Sequence, residues 1–235
     1  MDETRSRPAE PQPGRELAIW MLAMVALGTI PWLTGFPERA LTEAVEMGSA
    51  QAERRGIGEV RDDQIHKAVK AQQDTQPFWM TLWLLGDFVL EPLAMAVRAL
   101  AVATTFSALA ALSGRTIGFE QALDDSAYAQ RYWVFGLASR VALMLCLRRH
   151  DVDTSLALLL PRETIPALTW LLVRQVEVFA MLGWLSMARG GWKRGQVNFG
   201  VALGVCLIFA LFEALARVSL AASIGALIRL KYLPE

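Results

Sequence analysis

Eight charged residues interrupt otherwise apolar sequence and are the natural starting point for chemistry: Asp87, Glu91, Arg98, Arg140, Arg174, Glu177, Glu213 and Arg217. Arg174 and Glu177 are three residues apart and Glu213 and Arg217 four, spacings that set each pair on one face of a helix, where guanidinium and carboxylate neutralise each other. Asp87 and Glu91 share a face if their segment is helical, and are placed to meet Arg98 or Arg140 near a membrane boundary. Ions in hydrocarbon are costly and face the interior of a bundle, so these groups serve either as ties between helices or as a route for a proton or ion. A transport route would be marked by additional unpaired acids, a polar stripe, or Gly/Pro-interrupted helices repeated in two halves of the chain. None of these is evident in the sequence, and the preferred expectation is a set of ties, with Glu213 and Arg217 in the packed interior.

Other chemistry finds little support. Cys146 and Cys206 lie in apolar stretches without a CxxC pair, and His66 and His150 are single and far apart, so no metal or redox centre is expected. The sequence holds no P-loop, GxSxG elbow or HExxH; SGRTIG and GGWKRG are basic and glycine-containing, but lack the spacing that cradles a phosphate. No catalytic residue and no cofactor is assigned, and the chain is not expected to be an enzyme. Gly200 and Gly204, in the string GVALG, have the small-xxx-small spacing that lets helix backbones approach in lipid; packing within the bundle is preferred over homodimerisation.

The elements that must position these charges are helices in lipid. Of 235 residues, 54% are hydrophobic and 20% charged, and mean hydropathy is positive. The 23 basic and 23 acidic residues balance, which argues against a nucleic-acid binder. Residues 1–16, with Pro8, Pro11 and Pro13 among mixed charges, read as a disordered tail. Residues 17–36 are uncharged and long enough for a first span, retained rather than cleaved as a signal peptide. Residues 37–77 read as a polar, largely helical loop, and 78–235 as a four-helix membrane domain. Pro92 suits the first turn of a helix, which places span two at 92–112 after an interfacial piece containing Phe78, Trp79 and Trp83. Spans three to five are expected near 127–147, 165–188 and 197–220, the last continuing as a helical extension. Between spans three and four, SLALLLP is too short to cross and is expected to dip into the interface; ARGGWKRGQ, 188–196, is expected to turn tightly. The fold class is therefore all-α, a polytopic membrane helix bundle of about five transmembrane helices.

This order of features resembles the Yip family, named for interaction with Ypt/Rab GTPases. An apolar helix leading into LSGRTIGFEQALDDSAYAQRYWVFGLASRV is similar to the family's step from span two through a glycine-containing loop into span three. SLALLLP followed by LLVRQVEVFAMLGWLSMARGGWKRGQ is similar to its short reentrant segment, its fourth span with an acid-x-Phe element at Glu177 and Phe179, and its basic loop. The long polar stretch after span one and the charges Arg98, Arg140 and Arg217 depart from the family pattern. The resemblance implies an N-terminus in the cytoplasm, residence in a bacterial cytoplasmic membrane for a bacterial-type member, and no catalytic residues. In eukaryotic relatives it implies vesicle trafficking with small GTPases as partners. Positive-inside counting leans to the opposite orientation, because Arg54, Arg55, Arg61, Lys67 and Lys70 in the first loop carry much of the positive charge. The function expected is scaffolding or interaction in membrane organisation or trafficking, with the bilayer and other membrane proteins as partners. A small transporter or channel component, or an accessory subunit of a larger complex, is the alternative.

Overall fold

Apolar runs with no polar face must satisfy their backbone groups internally, and helices do so within one segment. The computed structural model describes residues 12–56, 70, 73–115, 118–149, 152–159 and 167–232, with the side chains of 47–56 and 224–232 excepted; these residues are predominantly helical and form no strand. Helices α1 (Pro13–Leu33) and α2 (Phe36–Gly56) are joined by a turn at Gly35, whose φ of 70° is one that glycine adopts without strain. Helix α3 (Gln76–Leu112) contains a π-helical stretch at Gly86–Leu90. Helices α4 (Phe119–Ala129) and α5 (Arg131–Leu147) meet at Gln130. A 3-10 turn (Leu156–Leu159) precedes α6 (Ala167–Arg174), α7 (Val178–Lys193) and α8 (Phe199–Tyr232). Three of these helices, α1, α3 and α8 through Ser223, are long and apolar enough to cross a membrane.

Several expected boundaries move. Helix α1 begins at Pro13, so the last residues of the expected tail are helical; the rest of that tail, 1–11, lies outside the described residues. The polar loop is helical over Phe36–Gly56, whereas 57–69 lie outside the described residues. Pro92 does not open a helix, because α3 passes through it. Proline lacks the N–H that would bond four residues back, and the preceding π stretch, in which the Glu91 N–H donates to the Gly86 carbonyl, re-spaces the ladder before it. The third segment begins earlier than expected, at Phe119, and bends at Gln130, whose N–H donates to Ala127 three residues back. The segment expected to be one span at 165–188 is broken. Gln175 and Val176 close tight turns onto Leu172 and Val173, Val176 accepts from the Leu156 N–H, and Ser155 and Glu177 form an isolated antiparallel bridge. The expected loop at 188–196 is shorter, because α7 runs to Lys193 and the chain turns at Gly195, φ 71°.

Packing among these helices relies on small residues. Ala99, Ala103 and Ala110 of α3 and Ala122 and Ala127 of α4 are buried, which lets the two backbones approach. One core cluster gathers Val102, Phe106, Trp184, Met187, Ala202 and Cys206 from α3, α7 and α8; a second joins Met24, Met95 and Val134. The outward faces are apolar too, as on α8, where Leu207, Ile208, Leu211 and Phe212 are exposed. In a membrane such a surface meets lipid at no hydrophobic cost.

Candidate functional site: two charged clusters in the helix bundle

Register along the helices determines which charges meet. Arg115 donates to the Gly195 carbonyl, so the C-terminal end of α3 and the N-terminal end of α8 lie side by side. Arg98 is 14 positions before Leu112, and Glu213 is 14 positions after Phe199. At 1.5 Å per residue both therefore lie ~21 Å from that end. The Arg98 Nε donates to Glu213 Oε2 at 2.8 Å, and Arg98 is 5% exposed.

Around this bond the charges close into a quartet. Arg217 donates through Nε to Glu213 Oε1 at 3.0 Å, and through Nη1 and Nη2 to the two oxygens of Glu91 at 2.5 and 3.0 Å. Glu91 in turn lies 3.8 Å from Arg98 Nη2. Two arginines and two glutamates from α3 and α8 thus form a ring with no net charge. The Arg217–Glu91 pair has the bidentate geometry in which a guanidinium is strongest. Gln130, fully buried at the α4–α5 bend, accepts from Arg98 Nη1 at 3.0 Å and donates to the Ser126 carbonyl at 3.1 Å. The Trp133 ring lies 4.4 Å from the Arg98 guanidinium carbon, a cation–π contact on the remaining side. A charged group this deep needs partners: Glu213 and Gln130 accept from Nε and Nη1, whereas the buried Nη2 makes no hydrogen bond and has only the 3.8 Å ion pair with Glu91.

A second cluster lies at two departures from α-helical geometry. Asp87 is in the π stretch and accepts from Trp32 Nε1 at 3.0 Å; Glu177 is the residue before α7, extended at φ −101°, ψ 139°. Both lie in the electrostatic reach of Arg140 on α5, as does Glu91. Arg140 makes no ion pair within 4 Å among the described residues, and its buried Nε has no hydrogen-bond partner. The extra residue of the π stretch rotates Asp87 away from Glu91, so the expected shared face divides between α1 and α8.

The expected residues are thus distributed unevenly. Glu91, Arg98, Glu213 and Arg217 come together, and the Glu213–Arg217 pair is present as expected at 2.8 Å. Arg174 and Glu177 do not share a helical face, because the chain break at 175–177 separates them. Arg174 is exposed and pairs with Asp153 at 3.5 Å. Gly200 and Gly204 pack against nothing: a Cβ at either would have no atom within 4 Å. The close approaches belong instead to Gly183, where a Cβ would lie 2.2 Å from Trp133, and Gly191, where it would lie 2.6 Å from Phe106. Gln130 and Trp133 are the site residues that spacing arguments missed; the single amide at the edge of an apolar run, AYAQRYW, was the available signal.

The end of the bundle beside Gly195 carries a separate clamp. Arg194 donates to Asp125 Oδ2 at 2.5 Å and Oδ1 at 2.9 Å and to Asp124 at 3.4 Å, tying the α7–α8 turn to α4. Burial pushes the Asp124 carboxyl above its usual range, and the Asp125 hydrogen bond holds Arg194 above its own. Comparison with family models, with curated proteins and with solved structures returns no match. Among the described residues no group of three or more His, Cys, Asp or Glu is placed to hold a metal ion.

Proposed function

We propose that the chain is a five-pass, non-enzymatic membrane protein that acts as a scaffold or interaction partner in membrane organisation, the reading suggested by its resemblance to the Yip family. The observation that carries it is the closure of the quartet. Each charge of Glu91, Arg98, Glu213 and Arg217 is paired with an opposite charge, and Arg98 also donates to Gln130, an arrangement suited to fixing helix neighbours. The order of helices supports five crossings: α1, α3, the bent α4–α5 unit, α7 and α8 would alternate in direction, a pattern with which the contacts Trp32–Asp87, Arg115–Gly195 and Arg194–Asp125 agree. Partners, among them small GTPases as in relatives of the resembled family, would then be met at the bundle ends, in a bacterial cytoplasmic membrane.

Single-cysteine labelling from either side of intact cells tests this reading, in a chain with Cys146 and Cys206 replaced by alanine. Cysteines at Ser6, Ser113 and Asn198 are expected to react from one side, and at Ser49 and Leu158 from the other. Ser6 and Ser49 on the same side would overturn it. A small transporter or channel component is the second reading, favoured by the interrupted α6–α7 segment, since discontinuous helices line many transport sites. Solute flux in proteoliposomes that is lost in Glu177→Gln would choose it over the scaffold.

A further inference from the structure

One guanidinium on the outward surface of the bundle has no carboxylate. Tyr128, Arg131, Tyr132 and Phe135 recur at i, i+3, i+4 and i+7, the spacing that sets side chains on one helical face, here across the bend at Gln130. Their contacts form a continuous ladder. The Arg131 guanidinium carbon lies 3.8 Å from the Tyr128 ring centre and 5.0 Å from that of Tyr132, and Nη2 donates to the Tyr132 hydroxyl at 3.3 Å. The Tyr132 ring meets Phe135 edge-on at 6.5 Å, and Phe135 meets Trp20 of α1 at 6.1 Å. Tyr128 and Phe135 are 48% and 46% exposed, so the ladder opens outward beside α1. Among the described residues Arg131 makes no ion pair within 4 Å, and its Nε has no hydrogen-bond partner.

We propose that Arg131 and its aromatic neighbours hold the headgroup phosphate of an anionic phospholipid, an inference that rests on the crossing of the membrane by the α4–α5 unit proposed above. Depth favours the phosphate. Asp125, tied to Arg194 at the bundle end, stands six positions before Arg131, about 9 Å of helix. The Arg131 side chain folds back over Tyr128, three positions nearer that end, which is the direction in which an arginine below a membrane surface reaches for the headgroups. Chemistry favours it as well. A guanidinium fork matches two phosphate oxygens, and the Tyr132 hydroxyl, which accepts from Arg131, keeps its own O–H to donate. The exposed Phe135 ring offers an acyl chain an apolar wall. Tyrosine rings position the cation without neutralising it, so its charge stays available to a ligand. The preceding acids of α4, Asp124 and Asp125, are already bound by Arg194 and leave that charge uncancelled. A headgroup with net negative charge is therefore preferred over a zwitterionic one.

Native mass spectrometry of the full chain released from lipid nanodiscs tests this, with phosphatidylglycerol and phosphatidylcholine of identical acyl chains supplied in equal amounts. The wild type is expected to retain one phosphatidylglycerol, held about fivefold more tightly than phosphatidylcholine. Arg131→Gln is expected to lose that preference, and Tyr132→Phe, which keeps the ring and removes the hydroxyl, to weaken it. Arg189→Gln, at an exposed arginine of α7, is expected to keep it. Equal retention of the two lipids by the wild type overturns the proposal without reliance on any variant. A preference that persists in Arg131→Gln, or that Arg189→Gln abolishes equally, also overturns it, since the lipid would then be held elsewhere or by charge at large. Abolition of the preference by millimolar inorganic phosphate would make a free anion the occupant and overturn it. A membrane protein that co-purifies with the wild type and not with Arg131→Gln would assign the guanidinium to a partner's carboxylate, with the same result. Failure of the chain to enter the nanodisc would overturn the crossing reading itself, whereas entry without a lipid preference overturns the site alone.

Discussion

The two charged clusters share α3 and are built from the same residue types, yet one is closed and the other open. In the quartet every charge finds an opposite charge, and the backbone that presents it is regular helix with one π turn beside it. Around Arg140 the carboxylates stand on irregular backbone, and the guanidinium makes no ion pair with either of them. The difference teaches that a buried ion's role follows from the closure of its network more than from its depth. A closed ring fixes a structure, and an open one keeps capacity for another charge.

The strongest way to break the comparison is to open the quartet. Arg98→Leu removes one positive charge from a ring that had none to spare, and a loss of ~3–5 kcal/mol is expected by denaturant unfolding in detergent micelles. A loss under 1 kcal/mol would show that the ring is no more closed than the Arg140 cluster. The same contrast between filled and open space exists among the glycines. Gly183→Ala and Gly191→Ala drive a methyl group into Trp133 and Phe106 and are expected to cost ~1–3 kcal/mol by the same measurement, whereas Gly200→Ala and Gly204→Ala should stay within ~0.5 kcal/mol. Asp87→Asn keeps an acceptor for Trp32 and removes a charge that makes no ion pair within 4 Å among the described residues, so its expected cost is below ~1 kcal/mol and far smaller than that of Arg98→Leu. The smallest effect lies outside the bundle interior. Asp125→Asn loosens a part-exposed clamp on Arg194, and is expected to cost ~0.2–1 kcal/mol, a difference that shrinks as salt is added.

The clamp also provides a check on sign. A carboxyl whose folded-state pKa is raised binds its proton more tightly when folded, so Asp124 contributes stability that is present at acid pH and lost as pH rises through the carboxylate range. Unfolding followed against pH should therefore show a shallower decline over that range in Asp124→Asn than in the wild type.

Much of the helical content was legible because unbroken apolar runs leave lipid-embedded chains no alternative to helix. The Glu213–Arg217 pair was legible for a related reason: its spacing lies within one uninterrupted helix. Arg174 and Glu177 obey the same spacing rule but not its premise, since the Ser155 segment hydrogen-bonds to the chain at Val176 and Glu177 and no glycine or proline marks the break. Pro92 gave a true signal with two solutions, a helix start or a widened turn, and only the contacts of Asp87 and Glu91 with different neighbours distinguish them. The quartet itself needed information that pairwise spacing lacks, the shared end-point of α3 and α8 from which Arg98 and Glu213 are equidistant. Gly200 and Gly204 misled because small-residue spacing says where backbones could approach, not which side of the helix faces inward.

Helix lengths carry a consequence for the surrounding lipid. Helix α3 has 37 residues and α8 has 34, ~56 and ~51 Å of helix, whereas α7 has 16, ~24 Å. In the five-crossing arrangement, α3 and α8 are too long for a hydrocarbon layer of ~30 Å, and α7, which packs with both, is too short. The bilayer would thicken or the helices tilt beside α3 and α8, and the bilayer would thin beside α7, so the membrane around the molecule would not keep one thickness.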